Sequence, residues 1–187
     1  MSLFDADTNW RSDRVWGQSN GMTDVQTLSA KQAITDQIYR YCRAMDRIDH
    51  ELGYAVWHDD GTADYGPDIF QGTGRGFVDH VSVQHAQTLG HSHQMSNIVI
   101  ELDGDRAASE SAVTATLRIL RGEQLMQISV WSRYIDTWSK RSGRWAIDHR
   151  MAINDFDEIR EVTPLRSTTR GSRDRDDPSY TALEAKR

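Results

Sequence analysis

The stretch that decides the fold starts His91-Ser-His93-Gln-Met-Ser-Asn97-Ile-Val-Ile-Glu-Leu102 and ends Arg144-Trp-Ala-Ile-Asp-His-Arg150-Met-Ala-Ile-Asn-Asp-Phe156. Through it the sequence alternates with a period of two, the pattern of half-buried strands. Three short breaks divide it: Asp103-Gly104-Asp105, Gly122-Glu123 and Arg141-Ser142-Gly143. Each is short enough for a hairpin and rich in residues that tolerate tight turns. Four strands are expected, at about His91–Leu102, Arg106–Arg121, Gln124–Lys140 and Arg144–Phe156, running as an antiparallel meander.

Upstream the period changes. Ile34, Ile38, Tyr41, Met45 and Ile48 recur at steps of four, three, four and three, the stripe of an amphipathic helix. Ser29 with Gln32 three residues on reads as its capping box. A short helix is expected at Glu51–His58 and is broken by Asp59-Asp60-Gly61. Short extended pieces follow at Ala63–Tyr65 and Ile69–Gln71, around a Gly66-Pro67-Asp68 turn. The glycines of Gly72-Thr-Gly74-Arg-Gly76 fit neither a dinucleotide nor a P-loop spacing, so they read as a turn before a third helix at roughly Phe77–Thr88. The order is helix, helix, two short strands, helix, meander. That is an α+β domain, one curved sheet over helices, whose concave face makes a natural pocket.

The ends differ from this body. Residues 1–28 are polar and irregular apart from Phe4, Trp10, Val15 and Trp16, and an arm packed on a neighbouring subunit would account for the tryptophans. Residues 29–158 form the domain. Residues 159–187 mix Arg160, Arg166, Arg170, Arg173, Arg175 and Arg187 with Asp174, Asp176 and Asp177, which reads as a flexible or subunit-docking tail.

Composition narrows the function. Of 187 residues, 28 are acidic and 22 basic, a net charge of −6, so nothing favours nucleic acid or an anionic membrane as partner. The acids are 21 Asp and 7 Glu and the bases 19 Arg and 3 Lys. Such short acids and planar, bidentate bases suit turns, strands and sites better than helix surfaces. Cys42 is the single cysteine. It excludes an intramolecular disulfide and a cysteine-based zinc site, and the default compartment is the cytoplasm. No apolar run reaches ~18 residues, and the first residues have neither a basic nor an apolar leader region.

Five stretches stand in an order that matches a known family. They are Arg40-Tyr-Cys-Arg-Ala-Met-Asp46-Arg-Ile-Asp49, Ala63-Asp-Tyr-Gly66, His93-Gln-Met-Ser-Asn97-Ile-Val-Ile-Glu101-Leu-Asp-Gly-Asp105-Arg-Ala107, Arg133-Tyr-Ile-Asp136 and Gly143-Arg-Trp145-Ala-Ile-Asp-His-Arg150. Together, from Ser29 to Asp157, the chain resembles the SnoaL-like branch of the nuclear transport factor 2-like superfamily. Within that branch the pattern is similar to the lindane dehydrochlorinases, the bile-acid 7α-dehydratases and, more distantly, the scytalone dehydratases. The resemblance implies a cone-shaped roll: a curved antiparallel sheet wrapped on three N-terminal helices. It further implies a lyase that needs no cofactor, usually a homotrimer, with an Asp–His pair in the cone. The matching positions are Asp46 at the end of helix one and His93 on the first long strand, with Asn97 in register. Tyr41, five residues before the Asp, matches a tyrosine of the bile-acid enzymes, and Arg150 matches an arginine on the last strand. The sequence departs from the dehydrochlorinases in having His91 upstream, and Gln94 and Met95 where those enzymes have Tyr and Gly.

The residue types fit that chemistry. A histidine near its ordinary pKa of ~6.5 is a suitable general base at neutral pH, and a carboxylate beside it fixes the tautomer and stabilises the imidazolium. On strand alternation His91, His93, Met95 and Asn97 share one face. Arg150, among the small Ala146 and Ala152, would steady an anion or pair with Asp148 or Asp136. Tyr41 would orient substrate or pack in the core. Met95 and Trp131 would form an apolar wall for a small hydrophobic or aromatic substrate. His91-x-His93 also has the geometry of a metal pair, but no compact motif adds further ligands, so no metal is expected. The expected activity is a dehydratase, dehydrohalogenase or aldehyde-releasing lyase. The alternatives are an isomerase using the same base, and a non-catalytic binding module like the small subunits of ring-hydroxylating dioxygenases.

Overall fold

The computed structural model of the chain describes residues 22–164 and 171–184. The expected N-terminal arm with its tryptophans lies outside the described residues. The first helix, α1, spans Asp24–Arg47 and starts earlier than the Ser29 capping box predicted. Thr23 is the N-cap: its hydroxyl accepts from Gln26 N at 3.3 Å, while Gln26 Oε1 accepts from Thr23 N at 2.9 Å. The added turn carries Val25 and Leu28, 76% and 68% exposed, so it contributes nothing to the apolar stripe. Ile34, Ile38, Tyr41 and Met45 are buried as the stripe requires. The helix ends at Ile48, a β-branched residue in the left-handed region with φ 51°.

Helix α2, His50–Tyr54, is shorter than expected. Asp49 caps it by accepting from Leu52 N at 3.0 Å. Trp57 and His58, read from sequence as its last turn, instead open strand β1, Trp57–Asp64. Both are buried there. Burial of the Trp57 indole outweighs the local helical pattern. Strand β2 is Gln71–Thr73, two residues later than expected. Helix α3, Gly74–Ala86, begins directly on the glycine cluster. Thr73 caps it, accepting from Gly76 N at 3.0 Å. Gly74 is required because the Trp57 ring lies where a Cβ would stand.

Strands β3 (Gly90–Asp103), β4 (Arg106–Arg121), β5 (Gln124–Arg141) and β6 (Arg144–Glu161) form the meander. The first three lie within one residue of their predicted bounds. Strand β6 is five residues longer, because its end pairs with Met126–Val130 of β5 and so takes in residues 159–161 of the expected tail. The six-stranded sheet has the order β2-β1-β6-β5-β4-β3. It is mixed, where the sequence implied antiparallel throughout: β1 lies parallel to β6, with Ala63 opposite Arg150. Alternation along one strand could not reveal that neighbour, which is contributed by the far end of the chain. The α+β architecture stands as expected, with α1 laid across the concave face and the core between them.

The C-terminal segment differs from a free tail. Helix α4, Pro178–Glu184, docks on its own chain. Tyr180 is buried and its hydroxyl donates to Asp49 Oδ2 at 2.7 Å, while Arg43 donates to Ser179 at 3.0 Å. Among the described residues no helix is long and apolar enough to cross a membrane.

Candidate active site

Asp46 stands in the last turn of α1 and His93 near the start of β3, and the fold brings them into contact. His93 Nδ1 lies 2.7 Å from Asp46 Oδ1. The backbone N of His93 donates to both carboxylate oxygens, at 3.0 and 3.1 Å. A carboxylate only accepts, so Nδ1 carries the hydrogen and the lone pair belongs to Nε2. The side chains are 7% and 18% exposed respectively, which shields the pair from water without sealing it. The result is a histidine held in one tautomer with its basic nitrogen free.

Two more histidines pack beside it. The ring of His91 lies 4.1 Å from that of His85 and 6.1 Å from that of His93, centroid to centroid. Burial, reinforced by His91 and His93, pushes the His85 pKa down to about 3. Among the described residues no group of three or more His, Cys, Asp or Glu is placed to hold a metal ion.

Arg150 and Tyr41 lie further inside the cone. Paired residues of neighbouring strands share a face. The ladder Ile100–Ser109–Asp136–Arg150 therefore lies on the same concave face as His93, which pairs with Ala115. Arg150 is fully buried and grips Asp136 with Nε at 2.7 Å and Nη2 at 2.8 Å. Burial opposes its charge, but Asp136 more than compensates and holds the guanidinium well above its ordinary pKa. The rings of Tyr134 and Tyr41 sit 4.0 and 4.2 Å from its Cζ. Its Nη1 is buried without a partner, as is Ser111 Oγ in the adjoining row. Tyr41 OH lies 2.8 Å from Tyr65 OH. Desolvation first, then its tyrosine neighbours, raise the Tyr41 pKa well above the ordinary value, so this phenol keeps its proton.

Cys42 links the two groups. Burial pushes its thiol up to about 12, Arg150 acts against that, and Asp46 and Asp136 act with it. Arg150 lies against the Tyr41 ring, about one turn of α1 before Asp46. Among the described residues it makes no hydrogen bond with the Asp46–His93 pair, and its charge is shared with Asp136 rather than free.

The remaining candidates divide. Met95 is partly buried on the concave face, paired with Val113. Asn97 is not in the site: a bulge between Ser96 and Val99 gives it φ 49° and leaves it exposed, with Ile100 rather than Val99 turned inward. Trp131 is on the opposite face from Met95, because its neighbour Ser132 is the residue that pairs with Val113. It stacks instead on Phe156, with centroids 4.8 Å apart. Sequence reasoning missed Tyr65, which was visible only as part of the Ala63-Asp-Tyr-Gly66 match, and Ser111, which no local signal marks. Two surface grooves lie elsewhere, one beside Met22, Ala30 and Trp145 and one beside Asp49, Arg173 and Tyr180. Neither includes His93.

The fold has solved counterparts. A scytalone dehydratase-like protein of Novosphingobium aromaticivorans DSM 12444 is 25% identical, with a TM-score of 0.65 over 81% of this chain and 100% of that one. The hexachlorocyclohexane dehydrochlorinase LinA-type3 of Novosphingobium barchaimii LL02 is 17% identical, with a TM-score of 0.66 over 79% and 100%. A protein of unknown function from Mycobacterium tuberculosis is 23% identical, with a TM-score of 0.59 over 88% and 90%. No curated protein matches the sequence. The family model described as the SnoaL-like domain matches residues 26–151, and the chain, with the fold of the nuclear transport factor 2-like superfamily, belongs to that family.

Proposed function

We propose that this chain is a cofactor-independent lyase acting on a small hydrophobic or aromatic substrate. The observation that carries the reading is the 2.7 Å contact of His93 Nδ1 with Asp46, which leaves Nε2 as a general base inside the cone. Nε2 takes a proton from a carbon or hydroxyl of the substrate. From a carbon, the electron pair released forms the new C=C bond as halide departs, or as a hydroxyl protonated on leaving departs as water. From a hydroxyl, it forms the C=O of the departing fragment, and the broken C–C bond leaves its pair on the remaining carbon, which takes the proton back from the imidazolium. Asp46 stabilises the imidazolium so formed. The unpartnered Nη1 of Arg150 faces the developing anion, and the protonated Tyr41–Tyr65 pair supplies a donor for a leaving oxygen. The similarity to dehydratase and dehydrochlorinase structures supports the same class. By the same resemblance the protein works as a homotrimer, in a reducing cytoplasm suited to its lone buried Cys42.

The test is His93→Ala, assayed on aromatic, terpenoid and steroid-like alcohols and halides first ranked by thermal shift. Turnover is lost while folding and assembly persist; an unchanged rate overturns the reading. An isomerase using the same base is the second reading, favoured by one observation: Arg150 is already neutralised by Asp136, as suits a reaction that expels no anion. Solvent deuterium retained in an isomeric product, with no group released, identifies that case.

A further inference from the structure

His91 takes no part in the chemistry above, yet its hydrogen bonds fix its state. Its Nε2 lies 2.8 Å from the carbonyl oxygen of Met45. A carbonyl only accepts, so Nε2 holds the hydrogen and, in the neutral ring, Nδ1 is an acceptor. Two donors face Nδ1: Thr88 Oγ1 at 3.2 Å and Arg173 Nη1 at 3.4 Å. Thr88 has one hydroxyl proton and a shorter bond to His85 O, at 2.8 Å. Arg173 Nη1 in turn has two hydrogens, and shorter bonds to His85 O and Thr88 Oγ1 at 2.7 and 3.1 Å, so it faces Nδ1 chiefly as a fixed positive charge.

Arg173 comes from the C-terminal segment, 82 residues further along the chain. It is held in a fork at the end of α3, where Nη1 donates to His85 O at 2.7 Å and Thr88 Oγ1 at 3.1 Å, and Nη2 to Thr88 O at 2.9 Å. The segment itself is pinned by Tyr180 on Asp49 and by Asp177, 3.7 Å from Arg47. The charged and titratable groups around His91 are His85 from α3, His93 from its own strand, Asp46 from α1 and Arg173. Burial first, then repulsion from His93 and Arg173, lowers its pKa, against the opposing pull of the Met45 bond and Asp46. A proton on Nδ1 would set two cations against each other.

We infer that Arg173 and His91 are a positioning pair for the general base: buried beside the fixed charge of the C-terminal arginine, His91 stays neutral, and its Nε2–H anchors the Met45 carbonyl and with it the carboxylate of the next residue, Asp46. This rests on the reading of Asp46–His93 as the base. Its effect is geometric, since a ~1 Å displacement of a catalytic group can cost ~100-fold in rate.

The test is nitrogen-detected NMR of the histidine rings in the full chain, which reports tautomer and charge without a substrate. In the wild type His91 is still in the neutral Nε2–H form at the ordinary histidine value of ~6.5 and takes up its proton only below it. In Arg173→Ala the His91 titration moves up toward the ordinary histidine value, and the His93 Nδ1–H resonance weakens through faster exchange. Arg173→Met, which keeps the aliphatic stem, gives the same result where the alanine variant folds poorly. A His91 ring protonated near pH ~6.5 in the wild type overturns the inference, as do ring signals unchanged in both variants. Both variants are read on ring charge and not on turnover, so the failure of this pair is distinct from the failure of His93→Ala.

Discussion

Asp46 binds His93 twice, through the ring Nδ1–H and through the backbone N–H of the same residue. The double attachment ties the carboxylate to the strand as well as to the imidazole. It also explains why an acid is tolerated at a helix C-terminus, where the macrodipole disfavours negative charge.

Replacing Asp46 with Asn separates the two bonds. The side-chain oxygen can still accept from the backbone, but the amide no longer stabilises an imidazolium or enforces the Nδ1–H tautomer. The expected loss in kcat is ~10³–10⁴-fold, by analogy with the aspartate of serine-protease triads. Steady-state kinetics of Asp46→Asn, with circular dichroism as a folding control, checks it. A loss below tenfold would show that the pair is structural.

The buried Arg150–Asp136 pair predicts an asymmetry in stability. Removing one partner, as in Asp136→Ala, leaves an uncompensated charge and costs about 3–5 kcal/mol. Replacing both, as Arg150→Met with Asp136→Leu, leaves stability within about 1–2 kcal/mol of the parent, because apolar groups of similar volume need no partner. Urea denaturation of the single and double variants reads this directly. Equal losses in both would mean that the ion pair itself is strongly stabilising.

His85 makes the protein sensitive to acid. Its folded pKa is about 3, against ~6.5 for a free histidine. Between those values the unfolded chain binds a proton that the folded chain refuses. Stability is therefore complete above pH ~6.5 and declines as the pH falls toward about 3, with the lowered pKa of His91 adding in the same direction. By pH ~4.5 the His85 contribution to the loss is about 2–3 kcal/mol. Denaturation midpoints at pH ~7 and ~4.5 measure it, and His85→Gln flattens the difference. Identical midpoints in the parent would contradict it.

The meander and the stripe of α1 were legible in the sequence because a single periodicity, two or about 3.6, persists through each. Legibility stopped where a non-local contact intervened. The extra turn of α1 carries exposed Val25 and Leu28, and nothing in its pattern asks for burial. Trp57 and His58 look helical until β6 is laid beside them. Asn97 was placed by extending strict alternation through a bulge that reverses it, and Trp131 by its apolar character, although it stands on the convex side. Asp46 and His93 were found through the resemblance; neither stands out alone. Asp136 was one of two acids open to Arg150, and only the register chooses between them. Arg173 lies among charges that look interchangeable in sequence and differ only in what they touch.

The parallel pairing of β1 with β6 has a consequence for how the molecule comes into being. During synthesis β1 emerges early but finds its hydrogen-bonding partner only when Ile147–Met151 has left the ribosome. Until then its edge toward β6 stays open, and the Trp57 indole lacks the strand beside it. The same late strand carries Arg150, so the chamber acquires its buried cation in the step that closes the sheet. Such distant pairings slow folding, because loop entropy is spent before the contacts repay it. A polypeptide truncated before β6 would therefore present an adhesive strand edge rather than a partly formed chamber.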